Sequence, residues 1–205
     1  MPGRNIIKLY AEDSYYHVYS RGVAKQDVFQ NREDYLIFLS LFERYLSKKP
    51  KISPARTTYP HYAPRLNLIA YCLMPNHIHL LVYQKDRAAL TEFMRSLMTS
   101  YSMYFNKKYN RVGPVFQSRY RASHIDHQSY LEHITRYIHL NPKNWRNYEF
   151  SSINNYRHNR SPEWLNISPV MKIFNSSTKE YLQFVSDYES MKTTLDELKW
   201  ELADN

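Results

Sequence analysis

The spacing of hydrophobic and polar positions changes several times along the chain, and each change predicts a new element. Residues 15–20 are aromatic and β-branched, which predicts a first strand ending at Gly22. Over residues 35–46 the apolar residues recur at helical spacing, and Asn31 is placed to cap that helix. Residues 50–65 carry four prolines and predict a loop.

Two interior strands are predicted next. Residues 68–74 and 77–82 are mostly apolar and are separated only by Pro75 and Asn76, which is typical of a hairpin with a tight turn. The remaining predicted elements are a second amphipathic helix over 90–105, a strand over 116–125, and a third helix from residue 126 or 128 to 141.

The order strand, helix, strand, strand, helix, strand predicts an α+β fold of the ferredoxin-like type. In that fold an antiparallel sheet carries helices on one face, and the other face stays open to a ligand. The character of the chain changes after residue 157. Residues 175–205 hold seven acidic and three basic residues, and the region from 178 to 203 predicts one or two surface helices. We therefore expect a main domain over residues 1–157 and an acidic, mainly helical C-terminal extension over 158–205.

Two histidines stand out in the second hairpin strand. Side chains at positions i and i+2 of a strand share one face, so His77 and His79 must point the same way. Paired neutral imidazoles suit a divalent metal ion, although a single buried histidine is more often a hydrogen-bonded structural residue. Two ligands do not complete a site, so a third must come from elsewhere in the chain.

Composition narrows the choice of partner. The net charge is +9 and 16% of the residues are aromatic, a combination typical of nucleic-acid binding. Three glycines are too few for a glycine-rich nucleotide loop, and the single Cys72 excludes an internal disulfide or a cysteine-based zinc cluster. No apolar run is long enough to span a bilayer and none has the form of a secretory signal, so we expect a cytoplasmic protein without a membrane partner.

Two motifs together resemble a known family. Residues 74–81 read Met-Pro-Asn-His-Ile-His-Leu-Leu and residues 137–142 read Tyr-Ile-His-Leu-Asn-Pro. They resemble the single-tyrosine HUH transposases, especially the REP-associated, insertion-sequence-200-like branch. The likeness covers roughly residues 14–157, including residues 16–22 and 116–120. It implies a ferredoxin-like catalytic domain, a metal held by two histidines, and a helix-borne tyrosine that attacks DNA.

The resemblance assigns a role to each matching residue. His77 and His79 correspond to the metal-binding pair, and Tyr137 corresponds to the nucleophile. Asn141 stands four residues after the tyrosine, where some family members offer a glutamine amide oxygen, and asparagine offers the same oxygen on a shorter side chain. The family uses Mg²⁺ or Mn²⁺, and imidazole ligands favour Mn²⁺. The implied product is a 5′-phosphotyrosine with a free 3′-OH, which can later rejoin strands without ATP.

Basic and aromatic residues interleave around the second helix and the following strand, as expected of a groove that grips phosphates and stacks unpaired bases. The predicted DNA-binding residues are Arg21, Lys107, Lys108, Arg111, Arg119, Tyr120 and Arg121. Lys107 and Lys108 also fit a solvated helix end. His17 is expected to pack across strands, with support of a metal ligand as the alternative, and His133 is a candidate to orient Tyr137.

The sequence thus predicts a metal-dependent transposase that cleaves and rejoins single-stranded DNA with hairpin or palindromic structure, in the cytoplasm and at the nucleoid. Two alternatives stay open. One is a metal-dependent phosphodiesterase in which His77, His79 and another histidine activate water. The other is a non-catalytic nucleic-acid-binding descendant. A homodimer and a monomer are both compatible with the sequence, which does not reveal the DNA sequence recognised.

Overall fold

The computed structural model describes residues 10–125 and 128–189. Its strands are β1 (Ser14–Arg21), β2 (Leu66–Met74), β3 (His77–Gln84) and β4 (Arg121–Ile125). Its helices are α1 (Arg32–Leu46), α2 (Ala89–Lys108), α3 (Gln128–His139), α4 (Ile153–Arg157), α5 (Ser168–Met171) and α6 (Thr178–Asp187). Within the described ranges, no helix combines the length and the apolar character needed to cross a membrane.

The four strands form one antiparallel sheet in the order β2-β3-β1-β4. With α1 and α2 as the connections between strands, this order is the ferredoxin-like arrangement that the sequence predicted, and the α+β class is confirmed. The fourth strand is shorter than the predicted 116–125. Phe116 makes only an isolated bridge to Gly22, and Phe116 and Tyr120 are buried in the core, so their aromatic character reflects packing of a loop.

Successive side chains of the central strands point to opposite sides, so the sheet has two distinct faces. Val18 and Leu80 share one face, because they pair with each other in the register of β1 and β3. Tyr71 pairs with Leu80 and its ring contacts Phe42, so α1 lies on that face. Gln84 belongs to the same face and its side chain accepts a hydrogen bond from the backbone of α2.

The opposite face carries His17 and His79, and α3 crosses it. The ring of Tyr137 contacts both imidazoles, and α3 packs against β2, β3 and β4. Helices therefore cover both faces of the sheet, whereas the sequence predicted helices on one face. The physical reason is that α3 has a buried apolar stripe, including Leu131 and Ile138, which needs a sheet surface of its own.

The join between α1 and α2 is built on a buried carboxylate. Asn31 caps α1, and its side chain accepts from the backbone of Asp34. The Asp34 carboxylate in turn accepts from the Lys108 ammonium at 2.8 Å and from the Tyr104 and Tyr109 hydroxyls at 2.9 and 2.7 Å. Burial alone would raise the pKa of Asp34, but these hydrogen bonds lower it below its ordinary value.

A buried histidine ties the end of α3 to two other elements. His139 Nδ1 lies 2.5 Å from the hydroxyl of Tyr181 in α6, and its Nε2 lies 2.7 Å from Ser152 Oγ. Ser152 Oγ also accepts from the backbone of Tyr71 in β2. Burial lowers the pKa of His139 to about 3, so the ring is neutral at pH 7.

The C-terminal helix also holds the middle of α3. The Arg136 guanidinium is buried between two aromatic rings, 4.1 Å from the centroid of Phe184 and 3.8 Å from that of Tyr188. Tyr181 and Val185 of α6 are fully buried in the same hydrophobic core as α3. Residues 178–187 do form a helix, α6, but the expectation of a surface helix was wrong, because Tyr181 and Val185 bury one side of it in the core. Residues 190–205 lie outside the described residues.

We expect His139→Gln to lower the free energy of unfolding by about 2 to 4 kcal/mol at pH 7.5, because buried hydrogen bonds are lost. The difference in free energy of unfolding between His139→Gln and wild type should become smaller as the pH falls. Unfolded histidine takes up a proton below about pH 6.5, whereas folded His139 stays neutral down to about pH 3. The unfolded state therefore binds more protons in that window, and the wild type loses stability as pH falls through it.

Urea denaturation at pH 7.5, 6.0 and 4.5 measures both effects. The exposed His158→Gln is the matched control and should follow the wild type at each pH. A constant gap between His139→Gln and wild type at all three values would contradict the buried, neutral state of His139.

Candidate active site

The site lies where β3 begins, directly after the turn between β2 and β3. His77 and His79 open that strand on the face covered by α3, and their rings are 5.0 Å apart and nearly perpendicular. The Tyr137 ring stands edge-on to His79 at 5.5 Å and to His17 at 5.6 Å. Both predicted histidines and the predicted tyrosine are therefore brought together within one chain.

Tyr137 owes its place to the amphipathic pattern of α3. Ile138 is fully buried against the sheet, whereas Tyr137 is only partly buried at the border of that stripe. A tyrosine at such a border packs its ring on the protein and keeps its hydroxyl near solvent. Its place at that border sets the Tyr137 ring beside the histidine face.

Asn141 also reaches the site. Its Oδ1 lies 3.1 Å from Nε2 of His77, and its Nδ2 is buried with no hydrogen-bond partner among the described residues. An amide that turns its oxygen toward an imidazole nitrogen, and leaves its own N–H groups unused, matches a metal ligand better than a structural hydrogen-bonding residue. The chemistry of this donor set therefore fits a divalent ion.

His17 has a larger part than the sequence indicated. Its Nε2 lies 3.0 Å from Nδ1 of His79, and the two rings are stacked with centroids 5.1 Å apart. Burial lowers the pKa of His17 to about 4, so the ring is neutral at pH 7. The expectation of simple cross-strand packing was wrong, because His17 is a hydrogen-bond partner of a predicted metal ligand.

His133 does not orient Tyr137, contrary to its candidate role. The residue is exposed, its Nδ1 lies 2.8 Å from Nη2 of Arg136, and its ring contacts Phe184 of α6. His133 therefore belongs to the junction of α3 and α6.

The candidate metal ligands are the imidazoles of His77 and His79 and the amide oxygen of Asn141. Across residues 10–125 and 128–189, no group of three or more His, Cys, Asp or Glu side chains is arranged to hold a metal ion. His17 is a further histidine at the site, and its Nε2 is already engaged by His79.

Two of the predicted DNA-binding arginines border the site. Arg21 pairs with His77 in the sheet register and Arg121 pairs with Tyr19, so both lie on the histidine face. The remaining predicted residues with accessible charge are Arg119 and Lys107, which are exposed, and Arg111, which is partly buried with its guanidinium 5.5 Å from the Phe105 ring centroid.

Two predicted DNA contacts are contradicted by the structure. The Lys108 ammonium lies 2.8 Å from both Asp34 and Glu33, so a phosphate could recruit it only by leaving the buried Asp34 unpaired. Tyr120 is only 7% exposed and its hydroxyl accepts from Tyr10, so its ring offers no face to an unpaired base. Both residues serve packing between elements distant in sequence.

A family model described as IS200-like transposase matches residues 62–141, a range that holds His77, His79, Tyr137 and Asn141. No curated protein matches the chain.

Two solved structures are similar to the chain. A REP-associated tyrosine transposase bound to a REP hairpin is 13% identical with a TM-score of 0.53, covering 80% of this chain and 92% of that one. A putative transposase from Deinococcus radiodurans R1 is 16% identical with a TM-score of 0.40, covering 67% and 95%, a score too low to support an argument. The first likeness shows a shared fold. Together with the family match it confirms the resemblance predicted from the sequence: residues 62–141 are similar to the IS200-like transposases.

Proposed function

We propose that the protein is a metal-dependent DNA strand transferase that uses Tyr137 to cleave and rejoin single-stranded DNA next to a hairpin. The observation that carries the proposal is the contact of the Tyr137 ring with His79 and His17 inside one chain. The family match supports transposase chemistry, and the structural relative bound to a REP hairpin supports hairpin DNA as the partner.

Residues His77, His79 and Asn141 would hold the divalent ion, which we propose to be Mg²⁺ or Mn²⁺. Two imidazole nitrogens and one amide oxygen would be its ligands from the chain, a donor set that such ions accept. When bound, the ion supplies charge neutralisation at the scissile phosphate. The partial burial of the imidazoles keeps the site rigid, since both rings lie on a central strand of the sheet.

Tyr137 would supply the attacking oxygen. A bond forms between its Oη and phosphorus while the bond from phosphorus to the 3′ oxygen breaks, and the phenolic proton ends on the released 3′-OH. One phosphodiester replaces another, so the reverse attack by a 3′-OH needs no ATP. An ordinary phenol has a pKa of about 10, so holding it in line with the phosphate is the main contribution of α3.

The strand would reach the site along the histidine face of the sheet. Arg21 and Arg121 lie on that face beside the imidazoles and would neutralise phosphates on either side of the cleavage point. The exposed Arg119 lies two residues before the start of β4 and adds a further positive charge next to that strand. This placement explains how a basic protein can direct one phosphate to one tyrosine.

We expect Tyr137→Phe to reduce the covalent protein–DNA adduct by at least about 1,000-fold, because the attacking oxygen is removed. The measurement uses end-labelled hairpin single strands, Mn²⁺ and a denaturing gel. Tyr130→Phe is the matched control, since Tyr130 is a 56% exposed tyrosine of the same helix, and it should form the adduct at the wild-type level.

Other outcomes of that gel separate the rival functions. Cleaved DNA with no attached protein, unchanged in Tyr137→Phe, would identify a phosphodiesterase that activates water. Absence of cleavage and adduct in the wild type, with retained hairpin binding, would identify a non-catalytic binding protein.

A mixing experiment tests whether one chain forms a whole site. Because Tyr137 and His79 contact each other within a chain, equimolar Tyr137→Phe and His79→Ala proteins should give no more adduct than either alone. Restoration of about a quarter to half of the wild-type adduct would mean that two chains share a site.

We also expect Arg121→Ala to weaken hairpin binding and to reduce the slope of log Kd against log salt by about one, as for the loss of one phosphate contact. Lys108→Met is the control. It should lower the free energy of unfolding by about 3 kcal/mol by leaving Asp34 unpaired, and should leave the salt slope unchanged. Fluorescence anisotropy with a labelled hairpin at several salt concentrations measures the slope.

A further inference from the structure

We infer that Asn76 and His17 are positioning residues that set the tautomers of His77 and His79, so that Nε2 of each ring is the metal-binding nitrogen. The inference rests on the proposed function for the metal itself. The hydrogen bond between Asn76 and His77 that supports it, however, is a property of the chain without metal. Each predicted ligand has its Nδ1 held by a side chain, one from the turn and one from the neighbouring strand.

The orientation of the Asn76 amide is fixed by its two neighbours. Its Nδ2 lies 3.2 Å from the carbonyl oxygen of Lys25, and its Oδ1 lies 2.6 Å from Nδ1 of His77. A carbonyl oxygen only accepts hydrogen bonds, so the amide nitrogen must face Lys25 and the amide oxygen must face His77. That oxygen also only accepts, so Nδ1 of His77 carries the hydrogen. A neutral imidazole has one N–H, and Nε2 therefore keeps its lone pair.

The backbone around Asn76 holds this arrangement in place. The N–H of Gly22 donates to the carbonyl of Asn76 at 2.8 Å, and the Pro75 carbonyl accepts from two further backbone groups. A Cβ on Gly22 would lie 2.2 Å from the carbonyl oxygen of Gln26, so only glycine lets residues 22–26 fold this tightly. Lys25 has φ +61°, which turns its carbonyl toward the Asn76 side chain. The segment after β1 is thus built around the turn before His77.

The tautomer of His77 determines whether its contact with Asn141 can be a hydrogen bond. The lone pair of His77 Nε2 faces Asn141 Oδ1 at 3.1 Å, and two acceptors at that distance repel each other unless a cation lies between them. Neighbouring ligands of an octahedral ion with bonds of about 2.1 Å are about 3 Å apart. Without the ion, rotation of the Asn141 amide would let its Nδ2, which has no partner in the described chain, donate to His77.

His17 contacts Nδ1 of His79, as Asn76 contacts Nδ1 of His77. Between Nε2 of His17 and Nδ1 of His79, 3.0 Å apart, one nitrogen must donate and the other accept. If His79 donates, its Nε2 keeps the lone pair and can bind metal; if His17 donates, His79 Nε2 carries a hydrogen and cannot. We assign the donor role to His79, because only that tautomer leaves its Nε2 lone pair for the metal of the proposed function. Positioning partners of this kind typically contribute 10- to 100-fold to metal affinity.

The first test reads the tautomers directly. Long-range ¹H–¹⁵N NMR of metal-free protein with ¹⁵N-labelled histidine distinguishes Nδ1–H from Nε2–H rings. We expect His77 and His79 both to carry the hydrogen on Nδ1, with resonances assigned by His77→Ala and His79→Ala. The inference is overturned for either residue that carries it on Nε2.

The second test measures Mn²⁺ affinity by the EPR signal of free Mn²⁺. Asn76→Leu and His17→Phe should each weaken binding by about 10- to 100-fold. The exposed controls Asn147→Leu and His158→Phe should stay within about threefold of wild type. The thermal midpoint of each variant separates lost affinity from lost folding.

The outcomes distinguish the inference from the proposed function. A wild type that binds no Mn²⁺ would overturn the metal-dependent function, while the NMR experiment would still decide the tautomers. A wild type that binds Mn²⁺ while folded Asn76→Leu and His17→Phe bind it equally well would overturn the positioning roles and leave the function intact. If either variant fails to fold, the wild-type tautomers decide.

Discussion

The candidate site depends on the pairing register between the two central strands. Tyr19 of β1 lies opposite His79 of β3, which places His17 close enough to hydrogen-bond that histidine across the strands. A slip of one residue would send every side chain of one strand to the other face and separate the two imidazoles. The apolar partners Val18 and Leu80, fully buried beneath α1 and α2, prevent that slip. The hydrophobic core thereby fixes the geometry of the polar face.

Buried polar groups hold the helix that bears Tyr137. His139 ends that helix with hydrogen bonds to α6 and to a serine beside β2, and Arg136 is enclosed by two aromatic rings of the C-terminal segment. Groups of this kind are costly to bury without partners, so each accepts only a narrow range of positions for its neighbours. This makes the location of Tyr137 a property of the whole molecule, including the acidic extension.

Local signals predicted the local features well. The Asn31 cap, the hairpin around Pro75 and the position of α3 each follow from a few neighbouring residues, and each is observed. The roles of His17 and Lys108 depend on partners 62 and 74 residues away, and no nearby residue indicates them. The position of α3 on the opposite face of the sheet from α1 and α2 could not be predicted for a similar reason. Amphipathic periodicity shows that α3 buries one side, but it does not show which face of the sheet that side covers.

The contacts of α3 with the later helix α6 have a consequence for the order in which the chain folds during synthesis. The hydrogen-bond partner of the buried His139 Nδ1 is Tyr181, which is synthesised 42 residues later. During synthesis the sheet, with His77 and His79 on it, is complete well before α6 leaves the ribosome, whereas the helix that bears Tyr137 still lacks the support of α6. A nascent chain would therefore complete its sheet before it can hold α3, and Tyr137 with it, in the final position.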